Sequence, residues 1–241
     1  MTKTILSLLS VFLLFSTASA QRNTHFGVEA AVTHDVYDYI DKGSLLKTPA
    51  LLSGYYGISI RQDLTSTLFL ETGLLRKSYA EGIGFNTSSG YSSSEAIRGW
   101  LIPLRMGTRI NLNKQKLHLV PVVGFSLGIN SDYGYGDGGG GGYEMTAKDT
   151  VYYSVYSKLS LRRSFPLLQT GLGAEFVLLR TALVSLSANY YTGFKNLIEQ
   201  DISYTHNSRP NTATGLSKGD MLAFGLAVKY PVSNLFRGIR D

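Results

Sequence analysis

Residues 222–230 read Leu222-Ala223-Phe224-Gly225-Leu226-Ala227-Val228-Lys229-Tyr230. Large apolar side chains occupy every second position, and Ala, Gly, Ala and Lys fill the places between. Successive side chains of a β-strand point to opposite faces, so this period-two pattern predicts a strand with one large apolar face and one small one. In a soluble barrel or sandwich the apolar face turns inward and the other face is charged. Here the second face is small and weakly polar, which suits a narrow lumen. The long uncharged apolar face suits contact with lipid.

The same alternation recurs along the chain, and period 3.6 is almost absent. Eight segments are predicted, at about 24–35, 50–62, 66–79, 97–111, 116–130, 164–179, 181–194 and 219–230. In the fourth, Trp100, Ile102, Leu104, Met106 and Ile110 oppose Arg105, Gly107 and Arg109. In the sixth, Leu168, Leu172, Ala174, Phe176 and Leu178 oppose Gln169, Gly171, Gly173 and Glu175. Short turns near Asp63, Asn111–Gln115 and Arg180 alternate with long connections at about 36–49, 80–96, 131–163 and 195–218. Short turns on one rim and long loops on the other are the layout of an outer-membrane barrel. The expected fold is all-β: an eight-stranded antiparallel up-and-down transmembrane β-barrel with short periplasmic turns, long outer loops and both termini on the periplasmic side. Tilted strands of ~10–12 residues cross ~25–30 Å of hydrocarbon.

Composition agrees with this. The 241 residues include no Cys, which excludes disulfides and thiolate metal sites. Charged residues are 17%, below the roughly 25% of soluble domains, and 44% hydrophobic content argues against disorder. No apolar run reaches the ~18 residues of a membrane-spanning helix. Residues 1–20 have a lone Lys3, an apolar stretch from Ile5 to Phe15 and a small-residue end at Ala18-Ser19-Ala20. That is the pattern of a secretory leader cleaved near Ala20. The expected divisions are therefore a signal peptide at 1–20, the barrel domain at 21–230 and a periplasmic tail at 231–241.

Several stretches resemble the small outer-membrane β-barrel family of Bacteroidota called PorT-like. They are Trp100-Leu101-Ile102-Pro103-Leu104, Pro121–Gly128, Gly171–Glu175, Tyr190–Leu197 and Phe224–Tyr230. The resemblance covers nearly the whole mature chain and implies a fold and a location. It implies no activity, because fold likeness does not carry function. Many outer-membrane barrels end on an aromatic residue that aids insertion; here either Tyr230 or Phe236 takes that role, or the last strand lies differently.

Two tempting motifs are set aside. Gly124-Phe125-Ser126-Leu127-Gly128 fits the nucleophile-elbow pattern, but that chemistry needs a strand-to-helix turn and this Ser lies inside a strand. Gly134–Gly139 fits a dinucleotide-binding pattern without the required βα unit, and the Gly run reads as a floppy loop tip. The four His residues lack metal-ligand spacing, and Asp132, Asp137, Glu144 and Asp149 match no calcium loop. No cofactor, metal or enzymatic activity is expected, although His34, Asp35 and Asp38 stand near the outer rim without a convincing partner set.

Parity places Glu29, Glu71, Glu175, Arg61, Arg105, Arg109 and Lys229 in the lumen, where buried charges require partners. An eight-stranded interior is just wide enough for side chains to fill, so a salt-bridged plug is expected, structural or gating in role. Tyr133, Tyr135, Tyr143, Tyr152 and Tyr153 in the longest loop make a candidate partner-binding surface. Tyr55, Tyr56, Trp100, Tyr190, Tyr191 and Tyr230 are candidate membrane-interface aromatics. The net charge of +6 is spread singly, apart from Arg162-Arg163, which argues against nucleic acid; outer-leaflet lipid or lipopolysaccharide phosphates, or a periplasmic partner for Arg237 and Arg240, account for the excess as well. Protein partners are expected through the outer loops or the periplasmic tail, with the barrel monomeric. A gated pore and a secreted soluble barrel holding a ligand stay open as alternatives.

Overall fold

The computed structural model describes residues 24–47, 51–85, 92–113, 116–131, 134–145, 150–178, 182–206 and 209–235. The leader at 1–20, Tyr133 and the tail beyond 235 lie outside the described residues. Fifteen strands and one short helix follow in chain order: β1 (Thr24–Asp35), β2 (Asp38–Asp41), β3 (Leu46–Lys47), β4 (Leu51–Asp63), β5 (Leu68–Phe85), β6 (Ser92–Thr108), β7 (Ile110–Asn113), β8 (Leu117–Asn130), β9 (Gly134–Met145), β10 (Thr150–Leu161), β11 (Ser164–Leu178), β12 (Ala182–Gly193), β13 (Ile198–His206), β14 (Arg209–Ser217), β15 (Met221–Pro231) and α1 (Val232–Leu235).

Eight of these close into a barrel, each antiparallel to its sequence neighbour. Their order is β1-β4-β5-β6-β8-β11-β12-β15, and β15 returns to β1. The closing register pairs Phe26 with Tyr230 and Asp35 with Met221. Closure leaves no barrel edge unpaired, which backbone groups in lipid require. β7 continues β6 past a break and pairs with β8 across a bulge at Asn111 and Asn113. The fold is the expected transmembrane barrel, with segment ends close to those predicted except at β5 and β6, which run five or six residues further toward the loops.

The two faces divide as the alternation requires. Outward side chains are apolar: Val28 is 56% exposed, Phe125 57%, Phe224 60% and Leu172 50%. Inward side chains are small, aromatic, polar or charged toward the short turns, and include Leu75, Leu101, Leu167 and Met221 toward the loops. On the inner wall, two aromatic rings lie over glycines directly opposite them in the ladder, Phe69 over Gly107 and Phe165 over Gly128. A Cβ at either glycine would overlap the ring. The small face seen in sequence is therefore space already filled from the neighbouring strand.

The long connections differ from expectation. Four of them hold strands rather than irregular loops. β5 and β6 run on as a hairpin, so that β5 spans 18 residues, about 60 Å at strand rise. β3 pairs with the far end of β5 through Leu46↔Phe85. The other connections build a separate five-stranded antiparallel sheet in the order β2-β14-β13-β10-β9. The Gly run expected to be a floppy tip is β9, paired with β10 from Gly134↔Leu161 to Met145↔Thr150. Gly lacks a Cβ but keeps its donor and acceptor, so a partner rich in Tyr, Val and Ser organises it.

Candidate functional site

The lumen has two layers. The half toward the short turns is charged, and the half toward the loops is mostly apolar. In the charged half, Glu29 projects from β1, Arg61 from β4, Glu71 from β5, Arg105 from β6, Glu175 from β11 and Lys229 from β15; all are buried. Arg105 donates from Nη1 and Nη2 to both oxygens of Glu29, at 2.8 and 2.9 Å, and from Nη1 to Glu71 Oε1 at 3.0 Å. Its Nε donates to Gln169 Oε1 at 3.0 Å. Glu71 also accepts from Arg61 Nε at 2.9 Å and faces Lys229 Nζ at 2.8 Å. Arg61 reaches across the barrel from β4 to Glu175 on β11, four strands away in a ring of eight.

Arg109 joins this network to the turn rim. It donates to Glu175 Oε1 at 2.7 Å and grips Asp63 with both terminal nitrogens, at 2.9 and 3.0 Å. The guanidinium of Arg61 lies 3.8 Å from the ring centre of Phe69, covering its open face. Planar forks suit this work because each Arg can serve two carboxylates at once. The residual cavity among Glu29, Arg61, Glu71, Arg105, Glu175 and Lys229 is about 60 Å³, room for a handful of waters.

The boundary between the layers is a pair of tyrosines. Tyr55 and Tyr191 meet edge to face at 6.5 Å, with hydroxyls 3.5 Å apart, and Arg105 Nη2 donates to Tyr191 at 3.4 Å. Both were expected at the membrane interface and both are instead inside, 4% and 0% exposed. Neighbours in a strand cannot share a face, so Tyr56 and Tyr190 take the outer positions, with Trp100 and Tyr230. Beyond the tyrosines lies an apolar cluster of Leu75, Leu101, Phe165, Leu167, Tyr79 and Met221 from the barrel wall, joined by Leu197 and Ile198 from the connection above. Leu159 and Leu161 of β10 and Tyr39 of β2 pack on it, so the loop sheet rests on the barrel mouth.

A second polar knot missed in the sequence sits in this upper layer. Lys77 Nζ, with no exposed surface, donates to both Asp35 oxygens at 2.8 and 3.1 Å, to Thr33 at 2.8 Å, to Ser53 at 2.7 Å and to the Ser78 carbonyl at 2.6 Å. Ala80 N–H and Ser53 donate to Asp35 Oδ2 as well. Parity does put Asp35 and Lys77 inside, which was the available sign. His34 points outward, so no catalytic grouping forms with Asp35.

Ser126 lies mid-strand in β8 with its Oγ buried and without a hydrogen-bond partner among the described residues. No group of His, Asp or Glu there could hold a metal. Tyr135 and Tyr143 lie on β9 and Tyr152 and Tyr153 on β10, within the loop sheet; their side chains lie outside the description. In the outer sheet, Asp41 accepts from the amides of Gly43, Leu45 and Leu46 at 2.9, 2.7 and 2.8 Å and from Tyr204 at 2.7 Å. Burial pushes the Asp41 carboxyl up, but these four donors outweigh it and hold it below its ordinary value. Burial and the bond to Asp41 push the Tyr204 hydroxyl up.

No family model and no curated protein match the chain. Among solved structures it is similar to the outer membrane protein OprG of Pseudomonas aeruginosa, at 11% identity over 88% of this chain and 97% of that one, with a TM-score of 0.48. A major outer membrane protein of Thermus thermophilus matches at 12% identity, over 86% and 98% of the two chains, with a TM-score of 0.43. The N-terminal β-barrel domain of P. aeruginosa OprF matches at 12%, over 85% and 99%, with a TM-score of 0.37. The fold assignment rests on the closed strand pairing and on the inverted faces described above.

Proposed function

We propose that the protein is a monomeric outer-membrane barrel with a closed lumen, and that it works as a structural or interaction protein through the sheet its loops build. The observation that carries this reading is the filling of the lumen. Salt bridges occupy one half, apolar side chains the other, and about 60 Å³ is left among the charges. A conducting eight-stranded barrel would need a continuous polar path, and eight strands leave little room for one. The PorT-like resemblance, resting on Trp100–Leu104 and Tyr190–Leu197, fits the same fold and address. A soluble ligand-holding barrel is disfavoured, because it would present a polar outer wall, and here the outer wall carries Val28, Leu104, Phe125, Leu172, Phe224 and Leu226.

Planar-bilayer recording of the purified protein tests the proposal. Wild type is expected to hold a flat baseline, and regular single-channel steps would overturn it. The sharing of Glu71 among Arg61, Arg105 and Lys229 favours a second reading, a gate opened by partner exchange. Under that reading Arg105→Ala alone produces conductance.

A further inference from the structure

The loop sheet ends on two unlike edges. At one end β2 contributes only Asp38–Asp41, and its Tyr39 hydroxyl donates to the Gly82 carbonyl of β5, which ties that end to the barrel hairpin. At the other end stands β9, twelve residues from Gly134 to Met145, about 40 Å long at strand rise. It pairs with β10 in one unbroken register, from Gly134↔Leu161 to Met145↔Thr150, with no bulge. Among the described residues no strand pairs with its other side. In an antiparallel ladder every second residue turns its N–H and C=O away from the partner, so half of β9 offers both groups outward.

Long exposed edges are ordinarily blunted by lysine, proline or a bulge, and β9 has none of these. Its centre is the glycine run 138–142. Glycine weakens a strand, and inside one it marks a place where another backbone approaches closely. Positions 134, 136, 138, 140 and 142 are all glycine, so one face of β9 carries no side chain over nine residues. On the other face Gly139 and Gly141 stand opposite Tyr156 and Ser154 of β10, and Tyr156 is 50% exposed. An aromatic side chain on an added strand would cover Gly139 and reach Tyr156, the rescue that aromatic residues give edge glycines. A second copy of β9 would set glycine against glycine and gain no such pair.

Charge narrows the partner further. Residues 132–161 hold Asp132, Asp137, Glu144 and Asp149 against Lys148 and Lys158, a formal −2 in a chain of +6. That excess opposes pairing between two copies and favours a basic segment. We propose that β9 is a docking edge for an extended segment of a partner protein. The segment adds as a sixth strand, with aromatic or β-branched residues across the glycine run and lysine or arginine flanking it. The proposal rests on the loop-sheet reading above and deepens it by naming the edge and the chemistry of its partner.

The test uses the full-length mature protein in detergent micelles, its fold checked by the heat-dependent shift of its gel band. The probe is a fluorescent peptide of alternating tyrosine and threonine with lysine at both ends, about ten residues long, the upper length of a strand. Saturable polarisation is expected at micromolar peptide, with new hydrogen-exchange protection of alternate amides within 138–142. N-methylating the peptide backbone should weaken binding about fivefold for each hydrogen bond removed. Asp137→Asn with Glu144→Gln should weaken it about fivefold and remove most of its salt dependence. Absence of binding by wild type, equal binding of the N-methylated peptide, or equal binding to a variant lacking 134–161 overturns the edge assignment. Dimers in sedimentation that disappear with that deletion assign the edge to a second copy and overturn the partner. Single-channel steps from wild type overturn the closed-barrel reading beneath the proposal, whereas a silent barrel that ignores the peptide overturns the edge alone.

Discussion

Lys77 meets five acceptors at the end of its side chain and has no exposed surface. Its worth is best read from what its removal strands. Lys77→Met leaves the Asp35 carboxylate buried with only neutral donors, Thr33, Ser53 and the Ala80 amide. Breaking one side of a buried pair costs about 3–5 kcal/mol, whereas replacing both sides by apolar groups is often neutral. We expect Lys77→Met to lower the unfolding free energy of the micelle-refolded barrel, read from urea titration, by about that amount, and Lys77→Met with Asp35→Leu to recover most of it. Equal losses in the single and double variants would show that packing, not the stranded charge, sets the cost. Both residues were legible as inward by parity. Their pairing was not, because they are 42 positions apart and the stagger between β1 and β5 decides which side chains share a level.

At the scale of strands, ring-over-glycine pairs fix how neighbours sit. Gly128→Val places two methyl groups where the Phe165 ring lies, and overpacking of this kind costs about 1–3 kcal/mol. Adding Phe165→Ala should restore part of that loss in the same urea titration; no recovery would move the strain to the backbone. The barrel strands were legible because each alternates large apolar with small or charged residues. β9 was not, since residues 138–142 are five glycines with no face to alternate, and its order comes from the β10 register. The Tyr55-Tyr56 and Tyr190-Tyr191 pairs failed for a related reason: both members look alike, and only strand phase separates lumen from lipid. The outer sheet has its own tie in Asp41. Its native carboxyl lies below the ordinary ~3.9, so its contribution is complete above that pH and is lost as pH falls through the native value. Protection of the Gly43, Leu45 and Leu46 amides in hydrogen exchange should therefore drop below about pH 4, while Asp41→Asn shows weak protection at every pH. A flat wild-type profile would remove Asp41 from this role.

Taken whole, the barrel carries two unlike seals in series. The charged layer closes the lumen by cross-barrel ion pairs, and the apolar layer closes it by packing under the loop sheet. Water and ions meet both in turn, so the resistances add and the larger one governs. Deleting 134–161, which removes β9 and β10 with Leu159 and Leu161, uncovers Phe165 and Leu167 but leaves every cross-barrel pair of the charged layer in place. Replacing Glu29 and Arg105 by Ser removes the bidentate bridge, yet the Tyr55–Tyr191 pair and the leucines above it remain. Each change alone should leave planar-bilayer recordings silent. Combined, they should give discrete openings, because a wetted lower lumen then meets an upper layer that has lost its cover. Openings from the loop deletion alone would mean that the charged layer is permeable as built and that the apolar layer is the only barrier. Openings from the Ser pair alone would locate the barrier in the salt bridges, the behaviour expected of a gate.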